Sequence, residues 1–317
     1  MALVCFGEAL IDFLSDGKTP ESFTKYAGGA PANVAVAAAK QGVDAYFCGM
    51  LGNDMFGQFL AEELQANGVN TRYLEYTDKA KTALAFVSLD KQGERSFSFY
   101  RPPAADLLFR QTHFSEDMFT EHSVLHICSN SLTEENIYKT TVYALERARA
   151  NNMLVSFDMN LRLNLWSSTA HILDRIWHCI ALSNVVKLSR EELEYLNANS
   201  HAGKTEAQTI AAIMDKQTQL LLITDGANPV EIYLQNDSAK VAAPIVVAVD
   251  TTAAGDAFVG GLLAEIIRKF KPTRDTEFAI TLNEAKGLVA YAAKCGAFAV
   301  QHYGAFAALP SKADIGE

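Results

Sequence analysis

The sequence lacks the features that mark secreted, membrane-spanning and nucleic-acid-binding proteins. Its 317 residues include five scattered cysteines and no Cys-x-x-Cys pair, which predicts reduced thiols in a cytoplasmic protein. No apolar run approaches the roughly 20 residues of a membrane span, and no charged segment followed by a long apolar one marks a signal peptide. The net charge is −10 without any block of Lys or Arg, so neither nucleic acid nor an anionic membrane is expected as a partner.

The composition that is present is that of an ordinary folded protein, with 49% hydrophobic and 20% charged residues. Short apolar runs of strand length alternate with helical patterns. This alternation predicts an α/β fold with a doubly wound, mostly parallel sheet flanked by helices. We predict strands at residues 3–6, 44–49, 124–128, 154–157, 184–188, 220–224 and 245–249, and helices at residues 31–41, 55–67 and 134–151.

Two places break this alternation and predict a second, smaller sheet. The strand-like runs that have no helix between them are 22–27, 82–89 and 95–100. Residues 90–93 (Asp-Lys-Gln-Gly) separate the last two and have the composition of a turn. We expect one domain over residues 1–317 with a β lid formed by about 13–27 and 82–105. A lid would keep water from a reactive site, while a dimerisation sheet or an edge hairpin is the alternative.

The stretch from Asp250 to Phe258 (Asp-Thr-Thr-Ala-Ala-Gly-Asp-Ala-Phe) follows an apolar run and precedes another. It predicts a strand, a tight turn and a helix. Small residues at 253–255 let another molecule approach the backbone, and the first helical turn leaves amides unpaired. These amides and the helix dipole would form an anion site, and Asp256 lies beside it, which indicates phosphoryl transfer. Taken alone, the stretch fits an ordinary helix start equally well.

A second stretch combines glycines with a helix start. Gly28 and Gly29 precede Ala-Pro-Ala-Asn33, and Asn33 offers a donor and an acceptor to a hydroxylated molecule. Upstream, Asp12 lies shortly after the first predicted strand, near the edge where ligands bind in open α/β sheets. Asp12 could therefore accept hydrogen bonds from two sugar hydroxyls. Each feature alone is weak, since glycine pairs are mostly turns and carboxylates are mostly solvated.

Together, these stretches resemble the two signatures of the PfkB-type carbohydrate kinases, the ribokinase-like family, and within it most resemble the fructokinases. Residues 28–35, with Gly42 and Gly52, match the N-terminal signature, and residues 250–263 match the C-terminal one. The C-terminal signature reads Ala-Ala-Gly-Asp here rather than the commoner Gly-Ala-Gly-Asp. The resemblance covers essentially the whole chain and implies a ribokinase-like fold with a β lid.

The resemblance implies a role for individual residues. Asp256 corresponds to the catalytic base, and Ala253, Ala254 and Gly255 to an anion hole for the γ-phosphoryl group. With an ordinary pKa near 4, such a base would accept the proton only as the O–P bond forms. The residues assigned to the substrate are Asp12, Gly28, Gly29, Asn33, Arg101 and Asn160. For Arg101, a surface arginine is the equally weighted alternative.

The resemblance also implies sites for nucleotide and metal. The residues assigned to ATP are Arg162, Lys187, Thr224, Gly226, Gly255 and Asn283. Glu192 matches the glutamate that organises the water shell of Mg²⁺, although Ser189 stands where many members have Asn. Asp250 and Thr252 resemble positions that bind a monovalent cation such as K⁺. Pro229 replaces a glycine that is usual in the nucleotide loop.

We therefore predict an ATP- and Mg²⁺-dependent fructokinase that phosphorylates the 6-hydroxyl of D-fructose, with K⁺ as a further candidate cofactor and a homodimer through the lid as a candidate assembly. 2-Keto-3-deoxygluconate kinase and aminoimidazole riboside kinase stay open, because sugar choice depends on a few contacts in three dimensions. Arg101 would suit a substrate carboxylate. The alternative of another class is a non-catalytic protein that binds sugar or nucleotide, although such a protein needs no base at Asp256.

Overall fold

A computed structural model describes residues 2–18, 20–89, 95–101, 103–200, 203–271 and 278–316. The turn predicted at residues 90–93 lies outside these ranges. Within them, thirteen strands form a nine-stranded and a four-stranded sheet. In chain order the strands are β1 (Leu3–Phe6), β2 (Leu10–Ser15), β3 (Phe23–Gly28), β4 (Ala45–Gly52), β5 (Asn70–Thr77), β6 (Leu84–Leu89), β7 (Arg95–Tyr100), β8 (Val124–Cys128), β9 (Leu154–Asp158), β10 (Val185–Ser189), β11 (Leu220–Thr224), β12 (Val230–Tyr233) and β13 (Ser238–Val241).

Helices cover the faces of the large sheet, and two of its hydrophobic clusters lie between sheet and helices. Among the described residues, no helix is both long enough and apolar enough to cross a bilayer. In chain order the helices are α1 (Ala30–Lys40), α2 (Met55–Ala66), α3 (Glu116–Glu121), α4 (Glu135–Ala150), α5 (Ile172–Ala181), α6 (Arg190–Ala198), α7 (Glu206–Met214), α8 (Ala254–Phe270) and α9 (Leu282–Ala299).

The large sheet has the order β13-β12-β11-β10-β9-β8-β1-β4-β5. From β5 to β11 neighbouring strands are parallel, and β12 and β13 add an antiparallel edge. On one side of β1 the sheet continues with β4 and β5, and on the other side it continues with β8, β9, β10 and β11. Ligands of doubly wound sheets bind beyond the carboxyl ends of the strands where the order reverses in this way. The loops after β1, β8, β9, β10 and β11 meet at that edge.

The small sheet has the order β3-β2-β6-β7 and is entered directly from β1 through residues 7–9. Its first strand starts at Leu10, earlier than the predicted lid segment 13–27, so Asp12 belongs to this sheet. Phe86 lies at the centre of an aromatic cluster on it, with ring centroids 4.9 Å from Phe13 and 5.4 Å from Tyr100. The small sheet therefore has its own packing.

The apolar run at 245–249 is not the strand that we predicted. The structure leaves it irregular, because β12 and β13 occupy the sheet edge beyond β11. The end of the run is held by helix α9 instead, since the backbone N–H groups of Val249 and Asp250 donate to the Val300 carbonyl at 2.7 and 3.0 Å. Within the run, Ile245 is 98% exposed and Val246 only 36%. All five residues of the run are exposed, so the apolar run that resembled a strand belongs to a surface loop.

Helices α1 and α8 pack so closely that they set the position of the site. A Cβ atom at Gly260 of α8 would lie 2.3 Å from the Ala37 Cβ atom and 3.1 Å from the Ala38 nitrogen of α1. Only glycine allows this approach without displacing the backbone. One turn earlier on both helices, Asn33 Nδ2 and Asp256 Oδ2 lie 2.7 Å apart. The small residues of the two signatures thus bring the starts of both helices together.

Candidate active site

A cavity of about 550 Å³ opens at the carboxyl edge of the large sheet, between that edge and the small sheet. The starts of α1 and α8 and the loops after five parallel strands form its walls. The residues predicted from the sequence that line it are Asp12, Gly29, Asn33, Asn160, Arg162, Lys187, Glu192, Thr224, Gly226, Thr252, Ala253, Ala254, Gly255 and Asp256. Folding therefore gathers most of the predicted residues around one space.

Asp256 lies in the first turn of α8 and lines the cavity. Burial raises the pKa of its carboxyl to about 7, and the charge of Asp158 adds to the increase. The hydrogen bond from Asn33 and the charges of Lys187 and Arg162 act in the opposite direction. The pKa near 4 assumed from the sequence is therefore too low. A carboxylate with a pKa near 7 is a stronger proton acceptor and still ionised in part at neutral pH.

The start of α8 is open to a ligand. Side chains cap α2, α6, α7 and α9, but among the described residues none caps α8, whose N-cap is Ala253. The N–H of Ala254 reaches the Thr251 carbonyl at 3.4 Å, and the next amides, from Gly255 onward, stay available to an anion. A Cβ at Gly255 would lie 3.2 Å from Lys187 Nζ, so an ammonium group lies beside the helix start. Amides, dipole and cation together favour negative charge at this point.

Lys187 belongs to a buried cluster of charges on β9, β10 and α6. Its ammonium nitrogen lies 3.1 Å from Asp158 Oδ1. Burial lowers the pKa of Lys187, but the carboxylates of Asp158 and Glu192 outweigh it, so the pKa is raised and the side chain stays charged. Glu192 accepts backbone N–H groups at both oxygens, from Leu161 and Ser189, each at 2.7 Å. Ser189 and Glu192 also form the capping box of α6.

The other end of the cavity carries hydrogen-bonding groups without a net positive charge. Asp12 faces it from β2, and burial together with the charge of Asp250 raises the pKa of Asp12 to about 7. A Cβ at Gly28 would lie 2.1 Å from Asp12 Oδ2, so glycine makes room for this carboxylate. Gly29 has φ +107°, and a Cβ there would lie 2.6 Å from the Glu8 carbonyl oxygen. Both glycines shape the wall, although only Gly29 lines it.

The end of the cavity opposite Asp12 is apolar on one side and polar on the other. Thr224 is the last residue of β11 and Gly226 lies in the loop after it. Asn160 has a φ of +36°, a conformation that asparagine tolerates and that is common in functional sites. The apolar lining residues are Ala227, Val230, Pro244, Val246, Ala248, Ala293, Ala297 and Val300. This end therefore offers apolar surface within the same cavity as the anion site at the start of α8.

Besides Gly28, three predicted residues do not line the cavity. Arg101 was expected at the substrate, but it is 2% exposed and its guanidinium group binds Asp106 at 2.6 Å. Asn283 was expected at ATP, but it is an exposed residue at the start of α9. The nearest lining residue of that helix, Ala293, is ten residues further, or about 15 Å at 1.5 Å per residue. Asp250 lies behind the lining, where it accepts N–H groups from Thr252 and Gly304 at 2.9 and 3.1 Å.

The sequence reasoning did not select Glu8 and Asn130, which line the cavity beside Asp12 and Asn33. Glu8 lies in the Gly-Glu segment after β1 and Asn130 just after β8, so their position at strand carboxyl ends was a usable signal. Asp158, at the end of β9, also lines the cavity and was not assigned a role from the sequence. The apolar wall at residues 243–248 was not identified because residues 245–249 were assigned to a strand.

Comparisons with known proteins agree over the whole chain. The family profile described as "pfkB family carbohydrate kinase" matches residues 2–312. A fructokinase of Vibrio alginolyticus is 37% identical over 311 residues, which cover 98% of this chain and 96% of that protein. Among solved structures, fructokinase of Xylella fastidiosa with bound ATP has a TM-score of 0.94 and 45% identity, covering 99% of this chain and 96% of that one.

A fructokinase double mutant of Vibrio cholerae, solved in a fructose, ADP and potassium ion bound form, has a TM-score of 0.87 and 32% identity. The match covers 99% of this chain and 96% of that one. These similarities include both sheets and both ends of the cavity, since they leave almost no part of the chain unmatched.

Proposed function

Because the chain belongs to the pfkB family of carbohydrate kinases, we propose that it transfers the γ-phosphoryl group of ATP to the 6-hydroxyl of D-fructose and releases fructose 6-phosphate and ADP. The observation that carries the proposal is the position of Asp256, at an uncapped helix start between a hydroxyl-binding end and a nucleotide-sized apolar end of one cavity. A base and an anion site at such a junction are what transfer from a nucleotide to an alcohol requires.

The sugar end places acceptors around a small polyhydroxylated molecule. Asp12 and Asn33 line the cavity there, and the buried Oδ1 atom of Asn33 has no partner within the part of the chain that the structure describes. Hydroxyl groups are the donors that such acceptors need. Arg101, which would have suited a sugar acid, is neutralised by Asp106. This arrangement supports a neutral sugar such as fructose over 2-keto-3-deoxygluconate.

In the transfer step, the sugar hydroxyl attacks the γ-phosphorus atom while the bond from that atom to the bridging oxygen of ADP breaks. Asp256 accepts the hydroxyl proton as the new O–P bond forms, and Asn33 holds the carboxylate through its 2.7 Å hydrogen bond. The amide at Gly255 and the ammonium group of Lys187 stabilise the negative charge on the transferring group. Arg162 lies on the same wall and adds a second cation.

The carboxylates around Lys187 fit a role for Mg²⁺, which would neutralise charge on the β- and γ-phosphates. Both oxygens of Glu192 already accept backbone N–H groups, so Glu192 would hold the ion through water rather than directly. Asp158 is the second carboxylate on this wall. For K⁺, we propose the loop of Asp250 and Thr252, whose turn is closed by a 2.9 Å hydrogen bond and lies directly before the anion site.

We further propose that the small sheet acts as a lid over the sugar, because Asp12 and Phe99 reach the cavity from it. The same sheet is our candidate for a homodimer contact, since its aromatic cluster includes Phe23 and Tyr100, which are 38% and 67% exposed. Sedimentation analysis with and without Tyr100→Glu tests the dimer, and an unchanged molecular mass would reject it. The five free, buried cysteines fit the cytoplasm as the compartment.

The test is ADP formation by the purified protein with ATP and Mg²⁺, across fructose, 2-keto-3-deoxygluconate, aminoimidazole riboside and ribose. We expect turnover with fructose at a kcat/KM well above that for the other three. Asp256→Asn should lower kcat by about 10²–10⁴-fold while the variant still folds and binds ATP. Turnover with another sugar alone would replace the substrate, and wild-type turnover by Asp256→Asn would remove Asp256 as the base. No turnover with any sugar would favour a non-catalytic binding protein.

A further inference from the structure

The apolar end of the cavity is formed by three segments whose lining side chains carry no polar atoms. The lining residues of these segments are Ala227 and Val230, then Ala243, Pro244, Ile245, Val246 and Ala248, and finally Ala293, Gly296, Ala297 and Val300. The side chains of such residues contain neither a hydrogen-bond donor nor an acceptor. Val246 is 36% exposed, so part of this surface is accessible to a ligand.

Helix α9 contributes one side of this end as a continuous stripe. Its lining residues follow one another at intervals of three, one and three positions, which places them on one face of the helix. From Ala293 to Val300 the stripe is about 10 Å long at 1.5 Å per residue. A Cβ at Gly296 would lie 3.2 Å from the Ala254 carbonyl oxygen at the start of α8. The stripe therefore adjoins the anion site, and the base of a nucleotide whose phosphates bind there would reach it.

The backbone carbonyls of this stripe already accept hydrogen bonds from the protein. The Gly296 carbonyl accepts the backbone N–H of Val300 at 3.2 Å, and the Ala297 carbonyl accepts Gln301 Nε2 at 2.9 Å. The Val300 carbonyl accepts the backbone N–H groups of residues 249 and 250 at 2.7 and 3.0 Å. These carbonyls therefore hold the helix and the neighbouring loop in place rather than pairing with donors on a base.

The polar lining residues that flank the apolar segments in the chain are threonines. Thr224 precedes the first segment and Thr251 follows the second. A hydroxyl group both donates and accepts, and it rotates to suit its partner, so it does not distinguish an amino group from a carbonyl group on a base. The charged lining residues Lys187, Glu191 and Glu192 belong to the end of β10 and the start of α6, on the wall proposed for the phosphates and Mg²⁺.

We propose that this end holds the base of the phosphoryl donor by shape and apolar contact alone, so that the protein uses purine nucleoside triphosphates in general rather than ATP alone. The inference rests on the proposed function, since it concerns the donor of the same transfer. An apolar pocket cannot strongly reject a ligand of the same shape, whereas a site that hydrogen-bonds its ligand rejects the analogue without that group by about 10⁴-fold or more. A pyrimidine has one ring fewer, buries less apolar surface and should therefore bind more weakly.

Inosine triphosphate (ITP) tests the proposal because it has the shape of ATP with the opposite hydrogen-bonding groups. It carries a carbonyl group in place of the amino group of adenine, and an N–H group in place of the neighbouring acceptor nitrogen. The experiment measures formation of fructose 6-phosphate with ATP, ITP, GTP or UTP as the donor. We expect kcat/KM for ITP and GTP to lie within about tenfold of that for ATP, and kcat/KM for UTP to be lower by about tenfold or more. A larger loss with ITP or GTP, or an undiminished kcat/KM with UTP, would overturn the proposal.

Two substitutions on α9 test where the base binds. Ala297→Phe fills part of the stripe without adding a hydrogen-bonding group, so it should raise KM for ATP and for ITP by the same factor, about tenfold. Lys294→Phe is the matched control, because Lys294 is an exposed residue of the same helix that does not line the cavity, and it should change neither KM. If Ala297→Phe raised KM for ATP alone, or for neither nucleotide, the base would not be held in the proposed way.

Binding measurements without sugar separate this inference from the proposed function. In calorimetry with Mg²⁺, ATP and ITP should bind the unaltered protein with Kd values within about tenfold of each other, and Ala297→Phe should weaken both. If both bind alike but fructose is not phosphorylated, the proposed function fails and the inference about the base stands. If fructose is phosphorylated with ATP but ITP binds more than about tenfold more weakly, the function stands and this inference fails. Binding of neither nucleotide would overturn both.

Discussion

The hydrogen bond from Asn33 to Asp256 should control the pH at which the protein becomes active. Asn33 Nδ2 donates to Asp256 Oδ2 at 2.7 Å and so stabilises the ionised carboxylate against the burial that raises its pKa to about 7. Asn33→Ala removes this donor. The pKa of Asp256 should therefore rise further, and because the base acts only when it is ionised, activity should be lost at neutral pH and regained at higher pH.

The magnitude follows from the charge on the acceptor. A hydrogen bond to a charged group contributes about 1.5–3 kcal/mol, and about 1.4 kcal/mol corresponds to one pH unit, which gives about one to two pH units. Water in the open cavity will replace part of the lost bond. We expect the acid limb of kcat/KM to move up by about one pH unit, from about pH 7 to about pH 8.

The assay is ADP formation at saturating ATP, with kcat/KM for fructose measured from pH 5.5 to 9.5. Asn130→Ala is the matched control, because Asn130 lines the same cavity but donates to Glu8 rather than to Asp256. That variant should leave the midpoint unchanged. Asp12, whose pKa is also about 7, is unaltered in both variants. A midpoint in Asn33→Ala that is unchanged or lower would refute the reasoning.

Three further outcomes follow from packing and burial. Gly260→Ala should destabilise the fold by about 1–3 kcal/mol in denaturant unfolding, because the new Cβ atom would collide with α1. Gly287→Ala is the control: its Cβ atom would have nothing within 4 Å, so this variant should be more stable by about 0.5–1 kcal/mol. Equal effects of the two substitutions would contradict the packing argument. Ala297→Phe should raise KM for ATP about tenfold, or about 1.4 kcal/mol, while an equal rise for fructose would place the nucleotide elsewhere. Arg101→Met should cost about 3–5 kcal/mol by stranding the Asp106 carboxylate, and adding Asp106→Asn should recover part of it.

Local patterns in the sequence predicted the parts of the site that depend on backbone geometry. The small residues before Asp256 and the glycines before Asn33 mark helix starts, and their chemistry is readable within a few residues. The alternation of apolar runs was also sufficient for the parallel sheet, because a buried strand and an amphipathic helix have different periods. Helix and strand bounds differ from prediction by one to three residues in most of these elements.

Contacts between distant segments could not be predicted in this way. From the sequence, Arg101 looks like a lid residue whose long charged side chain reaches a ligand. Only its pairing with Asp106 and the Asn130 carbonyl explains why it is buried. The bond between Glu8 and Asn130 spans 122 positions. The pKa of Asp256 depends first on its burial and then on Asp158, Lys187 and Arg162, which come from distant segments of the chain. The strand predicted at 245–249 was wrong because β12 and β13 take the edge that it needed.

The groups proposed to bind and activate the sugar come from two different sheets. We expect this division to affect the hydrolysis of ATP when no sugar is present. Asp12 belongs to the small sheet, whereas Asp256 and the anion site belong to the helices packed on the large one. A sugar is long enough to touch both, so its binding energy can draw the two sheets into the geometry of transfer. A water molecule cannot span them and receives no such assistance. Under the proposed function we therefore expect this division to suppress hydrolysis of ATP without sugar, because only the ternary complex would complete the reactive arrangement.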